Sequence, residues 1–181
     1  MQLFLIRHPR PLIDDGICYG RLDVEAEDPS PVADRLRLLL PEVTPLISSP
    51  LRRARTLAEA LHAQPVFDQR LMEIDLGTWE GQRWEQIERA QLDAWANDLL
   101  HFAPPGGESA AMLQARVVAC IADLRRTTVA LVTHAGPIRA ALGYWLQIPV
   151  QEWSSLELAF GSITQLEIQG DAAPIVHYVN R

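Results

Sequence analysis

Residues 127–139 read TTVALVTHAGPIR, and the segment continues as AALGYWLQ to residue 147. A short apolar run ends at His134, and a glycine and a helix-like stretch follow at once. A continuous apolar run of that length fits a strand buried on both faces. The chain opens the same way: residues 2–8, QLFLIRH, are a second apolar run that ends in Arg7–His8. A third run, TPLISSP at 44–50, stops near Ser48–Ser49. Buried strands alternating with helices predict an α/β fold, a three-layer α/β/α sandwich around a mostly parallel sheet. Ligands of such sheets gather at the carboxyl ends of the strands. Two histidines far apart in sequence are therefore expected in one crevice.

The helices follow from their punctuation. Ser30 is placed to cap a helix with Pro31 in its first turn, and Pro41 marks its end. Ser49 is placed to cap a second helix with Pro50 at its first position, and Ser109 a third over residues 110–126. Trp84, Ile87, Leu92, Trp95 and Leu99 recur with a helical period over 81–100. That helix and the PPGGE loop at 104–108 are read as a small helical insert, about 80–108, over the site of one domain covering 1–181. Residues 162–168 and 174–179 alternate like late strands.

Composition narrows the function. With 181 residues and 48% hydrophobic content the chain can bury one core. No apolar run reaches the roughly 18 residues of a membrane span. The amino terminus lacks the basic start and long apolar stretch of a signal peptide. The expectation is a soluble cytoplasmic protein with no membrane partner, whose Cys18 and Cys120 are reduced thiols. A net charge of −7 argues against nucleic acid. All 16 basic residues are arginines. The guanidinium fork binds phosphate through two parallel hydrogen bonds.

Several of these arginines are placed for an anion. Arg52, Arg53 and Arg55 crowd the first turns of the helix after Ser49, where cations oppose the helix dipole unless an anion compensates them. Backbone N–H groups at Ala135 and Gly136 are placed to face an anion as well. LMEIDLGTWEG at 71–81 offers Glu73, Asp75 and Glu80 as acid–base candidates. The chain shows no metal-ligand spacing, P-loop or serine nucleophile elbow. Imidazoles and arginines around one crevice suit a phosphate-sized substrate, and histidine can serve as a covalent nucleophile.

Taken in order, LIRHP, SSPLRRA, MEIDLGTWEG and VTHAGPIR resemble the motifs of the histidine phosphatase superfamily, the phosphoglycerate-mutase-like or RHG family, across nearly the whole chain. AWANDLLHFAPPGGES resembles the insert and loop of its alpha-ribazole phosphatase branch, which serves cobalamin biosynthesis. The resemblance implies hydrolysis of a small phosphorylated metabolite, alpha-ribazole 5′-phosphate among the candidates. Neither a metal nor an organic cofactor is implied, and the chain would be a monomer or homodimer. His8 would become phosphohistidine. Arg7 and Arg53 would grip the phosphoryl oxygens, with His134 and the Ala135 backbone completing the pocket. Glu73 would protonate the leaving group. Arg21 and Glu108 are candidates for contacting the rest of the substrate. The two histidines are expected in different protonation states, His8 neutral to attack and His134 donating. The chain departs from the family at Pro9, where glycine is usual, and at Arg10 and Pro11, where an acidic residue and a hydroxyl are common. Those departures keep an inactive phosphate-binding module in view. A phosphoglycerate-type mutase is the other alternative.

Overall fold

The computed structural model describes residues 1–42, 44–170 and 172–181. Its core is a six-stranded sheet of β1 (Gln2–Arg7), β2 (Leu46–Ser48), β3 (Val66–Phe67), β4 (Thr128–Thr133), β5 (Ile163–Glu167) and β6 (Ile175–Tyr178), in the order β3-β2-β4-β1-β5-β6. β1, β2, β3 and β4 are parallel; β5 runs antiparallel to β1 and β6 antiparallel to β5. The sheet is thus mostly parallel, as the buried runs require.

Helices cover both faces. Leu3, Leu5, Val129 and Leu131 point to one side, against α4 (Ala110–Ala122) and α5 (Ala135–Trp145) through Leu113, Val117, Ile138 and Leu142. Phe4, Ile6, Ala130 and Val132 point to the other, against α1 (Ser30–Arg37) and α2 (Arg52–Leu61) through Ala33, Leu36, Ala54 and Leu57. This period-two division explains why the central strands have no polar alternation: neither face meets water. Among the described residues no helix is long and apolar enough to cross a membrane.

Two of the three expected helix caps are corrected. Ser30 is the first residue of α1, and the Asp28 carboxylate accepts from both its N–H and its hydroxyl. α2 begins two residues later than expected, after Leu51, and Asp23 accepts from the Arg52 N–H. Ser109 does cap α4, accepting from the Met112 N–H at 3.3 Å.

The insert also departs from expectation. The helical pattern over 81–100 resolves into one 3₁₀ turn, Trp84–Gln86, and one nine-residue helix, α3 (Arg89–Asn97). The cause is aromatic packing. Trp84 and Trp95 stack with centroids 5.9 Å apart, and both pack edge-on against the buried Trp79. In an unbroken helix, eleven residues would separate them by about 16 Å along the axis. The chain must break between them for the rings to meet. Cys18, Leu76, Ile87 and Phe102 fill out this separate small core.

Candidate active site

β1 and β4 lie side by side with Arg7 level with Thr133. The next residue on each strand is a histidine, so His8 and His134 emerge together at the carboxyl edge of the sheet. Their ring centroids are 4.9 Å apart, with the planes at 59°. Both rings are buried.

His8 is held by its neighbour: Nδ1 donates to the Pro9 carbonyl at 2.6 Å. That leaves the Nε2 lone pair free. Proline in place of glycine is harmless to this contact, because the carbonyl is what the imidazole uses. Arg10 lies at the surface, 4.0 Å from Glu27 and 5.2 Å from the centre of the Phe160 ring.

His134 is held from the other side. Ser49 Oγ lies 2.8 Å from His134 Nε2 and also accepts from the Leu51 N–H at 3.3 Å. When the hydroxyl proton points to Nε2, the ring proton lies on Nδ1. Nδ1 is buried and has no partner within the protein. Burial pushes both histidines well below the ordinary value of 6.5, and the Arg53 charge pushes both further. This corrects the expectation of opposite protonation states. Both rings are neutral, and His134 can still donate through Nδ1–H.

The shift has a consequence for stability. Below about pH 6.5 the unfolded chain takes up protons on these histidines while the native state does not, so stability falls as the pH drops from there toward the depressed native values. In urea titrations between about pH 7.5 and pH 5.5, His134→Gln is expected to lose stability less steeply than wild type, by up to about 1.4 kcal/mol per pH unit. Identical slopes would mean that native His134 protonates like an exposed histidine.

The arginines approach from two directions. Arg7 Nη1 donates to the Leu158 carbonyl at 2.5 Å, and its guanidinium lies 3.8 Å from the centre of the Phe160 ring. Arg53 is fully buried; its Nη1 and Nη2 donate to the carbonyls of Leu22 and Gly20 at 2.8 and 2.6 Å. Among the described residues, four buried side-chain polar atoms have no hydrogen-bond partner: Arg7 Nε, Arg53 Nε, His134 Nδ1 and Ser162 Oγ. Three of the four are nitrogens on residues of this cluster, and both arginine Nε atoms are N–H donors. Buried donors without partners are rare and costly, and an oxyanion is their natural complement.

Glu73 faces the cluster across a cavity of about 250 Å³, whose lining includes Arg7, Tyr19, Trp84, Ala135 and Arg139. Four larger hollows, of about 300, 430, 490 and 690 Å³, contain none of Arg7, His8, Arg53, Glu73 or His134. The Glu73 carboxylate accepts from the Ile74 N–H at 2.9 Å and from the Gly136 N–H at 3.2 Å, in the first turn of α5. A Cβ at residue 136 would stand 2.0 Å from Glu73 Oε1, so only glycine leaves room for the carboxylate. Gly136→Ala is expected to displace Glu73 and lower kcat roughly 100-fold, with KM little changed. A wild-type kcat in that variant would show that the carboxylate has no such fixed position.

Arg21 and Glu108 lie beside the Glu73 segment, with their polar groups bonded to the protein itself. Glu108 is buried behind the Glu73 segment, where it accepts from Arg116, Arg21 and the Asp75 N–H. Arg21 pairs with Asp75 and donates to the Glu73 carbonyl. Arg116, which the sequence reading missed, donates to the carbonyls of Arg70, Met72 and Glu73. Its one signal was to be the only charge inside the apolar helix AAMLQARVVACIA. Glu80, a third acid candidate, accepts from the N–H groups of Arg21 and Leu76 and so ties the loop that holds Arg53 to the loop that carries Glu73.

Paired neutral imidazoles, one with a free lone pair, beside arginines that lack oxygen partners define a site for phosphoryl transfer through histidine. Comparison with known proteins gives the family. Residues 3–181 match the model of the histidine phosphatase superfamily, branch 1, and the chain belongs to that superfamily. It is 27% identical to a candidate phosphoserine phosphatase, phosphoserine phosphatase 2, of Hydrogenobacter thermophilus, over 99% of this chain and 95% of that one. It is 30% identical to the glucosyl-3-phosphoglycerate phosphatase of Mycolicibacterium vanbaalenii, over 93% and 84%. The native structure of a mycobacterial glucosyl-3-phosphoglycerate phosphatase superposes with a TM-score of 0.83 at 28% identity, covering 99% of this chain and 98% of that one. Some longer mycobacterial relatives are matched over only 41% of their own length. Membership and relatives together assign the chain to the phosphatases.

Proposed function

We propose that the chain hydrolyses small phosphomonoesters through a phosphohistidine at His8. The observation that carries this reading is the set of three partnerless buried nitrogens, Arg7 Nε, Arg53 Nε and His134 Nδ1, on residues whose rings or charges act on His8. They supply fixed dipoles and charge where the three equatorial oxygens of a transferring phosphoryl group would sit, and such preorganisation is the main catalytic resource in phosphoryl transfer.

His8 Nε2 attacks phosphorus as the ester P–O bond breaks. The departing alkoxide takes the proton of the Glu73 carboxyl group. In the second half, Glu73 accepts a proton from water, the resulting hydroxide attacks the phosphohistidine, and phosphate and neutral His8 are released. Arg7 and Arg53 balance the phosphoryl charge in both halves, and His134 donates one neutral hydrogen bond.

Water is favoured over a second substrate as acceptor because the insert is one nine-residue helix and a 3₁₀ turn, a slight cover for an intermediate that must be kept dry. The relatives' names point to phosphoserine and glucosyl-3-phosphoglycerate, both small phosphorylated acids, as the first compounds to try. Alpha-ribazole 5′-phosphate, suggested by the resemblance of the insert, is named by none of these relatives and belongs in the test as a comparison. The test is steady-state hydrolysis of p-nitrophenyl phosphate and of these esters without added metal. Turnover is expected; its absence with every ester would overturn the reading in favour of a phosphate-binding module.

A further inference from the structure

We propose that Arg139 reads an acidic group on the leaving-group side of the substrate, so that the natural substrate is a phosphomonoester whose alcohol carries a carboxylate. This rests on the phosphatase reading above. Arg139 lies on α5, five residues beyond His134, and lines the same cavity as Arg7 and Glu73. One segment aims both arginines. The Leu158 carbonyl accepts from Arg7, and the Leu156 carbonyl accepts from Arg139 Nε and Nη2 at 3.4 and 3.1 Å. That contact occupies only one edge of the Arg139 fork. Among the described residues, Nη1 has no hydrogen-bond partner and no carboxylate pairs with the guanidinium. The free edge, Nη1 with the second N–H of Nη2, is an edge that takes both oxygens of a carboxylate.

The charges in the cavity favour the same assignment. Arg7, Arg53 and His134 already serve the phosphoryl group. Arg139 is a further cation, half-buried, near enough for its charge to add to the burial that lowers the Arg7 pKa. A partly desolvated cation without a counter-charge is unfavourable. An anion elsewhere on the substrate offsets it, and a cavity of about 250 Å³ suits a small organic acid.

The test uses matched pairs that differ at one group: 3-phosphoglycerate against glycerol 3-phosphate, and O-phosphoserine against phosphoethanolamine. In each pair the wild type is expected to prefer the carboxylate member in kcat/KM by roughly tenfold to 100-fold, the range of a charge-assisted hydrogen bond. Arg139→Met is expected to bring both ratios close to unity, chiefly through KM, and Arg139→Lys to give intermediate ratios. Each ratio is taken within one preparation, so partial unfolding cancels; should the Met variant not fold, the Lys variant decides by the same measure. A wild type indifferent to the carboxylate, or variants that keep the full preference, would overturn the proposal. Hydrolysis of p-nitrophenyl phosphate with neither carboxylate ester turned over would overturn it while leaving the phosphatase reading intact. No hydrolysis of any ester would overturn both.

Discussion

His8→Ala is expected to lower kcat for p-nitrophenyl phosphate by at least about 10⁴-fold while the protein stays folded. The size follows from the lack of a substitute nucleophile. His134 is only 4.9 Å away, ring to ring, yet its Nε2 is engaged by Ser49. Ser49 is itself committed to His134 and the Leu51 amide. Cys18 is buried in the insert core, and burial there pushes its thiol up to about 12. His8 alone combines an anchored ring, a free Nε2 and a pKa depressed by burial, so it is neutral and ready to attack across the physiological range. Near-native circular dichroism with activity within tenfold of wild type would place the nucleophile elsewhere.

Glu73→Gln should cost about 10³-fold in kcat on alkyl phosphates, whose leaving oxygens need a proton. The same variant should treat p-nitrophenyl phosphate differently. Its phenolate departs without help, so the first half-reaction survives. The second does not, because an amide cannot take a proton from water. Stopped-flow traces should show a stoichiometric burst of p-nitrophenol followed by slow turnover. The glutamine keeps the shape of the residue but sets an NH₂ group against the amide N–H of Ile74 or Gly136, so part of any loss could come from displacement. The burst reports that the second half-reaction has lost its base, whether by exchange or by displacement. Alkyl phosphates turned over at the wild-type rate would remove Glu73 from the mechanism.

The sequence and the structure agree where the physics is local or strongly periodic. β1 and β4 were legible because a strand covered on both faces is apolar throughout. The meeting of His8 and His134 then followed from parallel strands ending at one edge. β3 was missed: it is two residues long, exposed and at the sheet edge, so it carries no burial pattern. The insert was over-read as one helix, because Trp84 and Trp95 have helical spacing and nothing in the spacing reveals that both must meet Trp79. Ser49 was read as a cap because its partner lies 85 residues away. Arg21 and Glu108, with Arg116, brace the backbone that carries Glu73, a role their sequence positions do not display. The protonation states were the least legible feature of all. They are set chiefly by burial, which sequence order does not display.

The central claim is that phosphate passes through His8 Nε2, and trapping the intermediate tests it most directly. Wild-type enzyme turning over p-nitrophenyl phosphate, quenched in alkali within the first turnovers and digested for mass spectrometry, should yield a phosphate adduct on the peptide that contains His8. The adduct should survive alkali, fall off in acid, and be absent from His8→Ala. Rapid turnover with no adduct, or an adduct on any other residue, would contradict the mechanism.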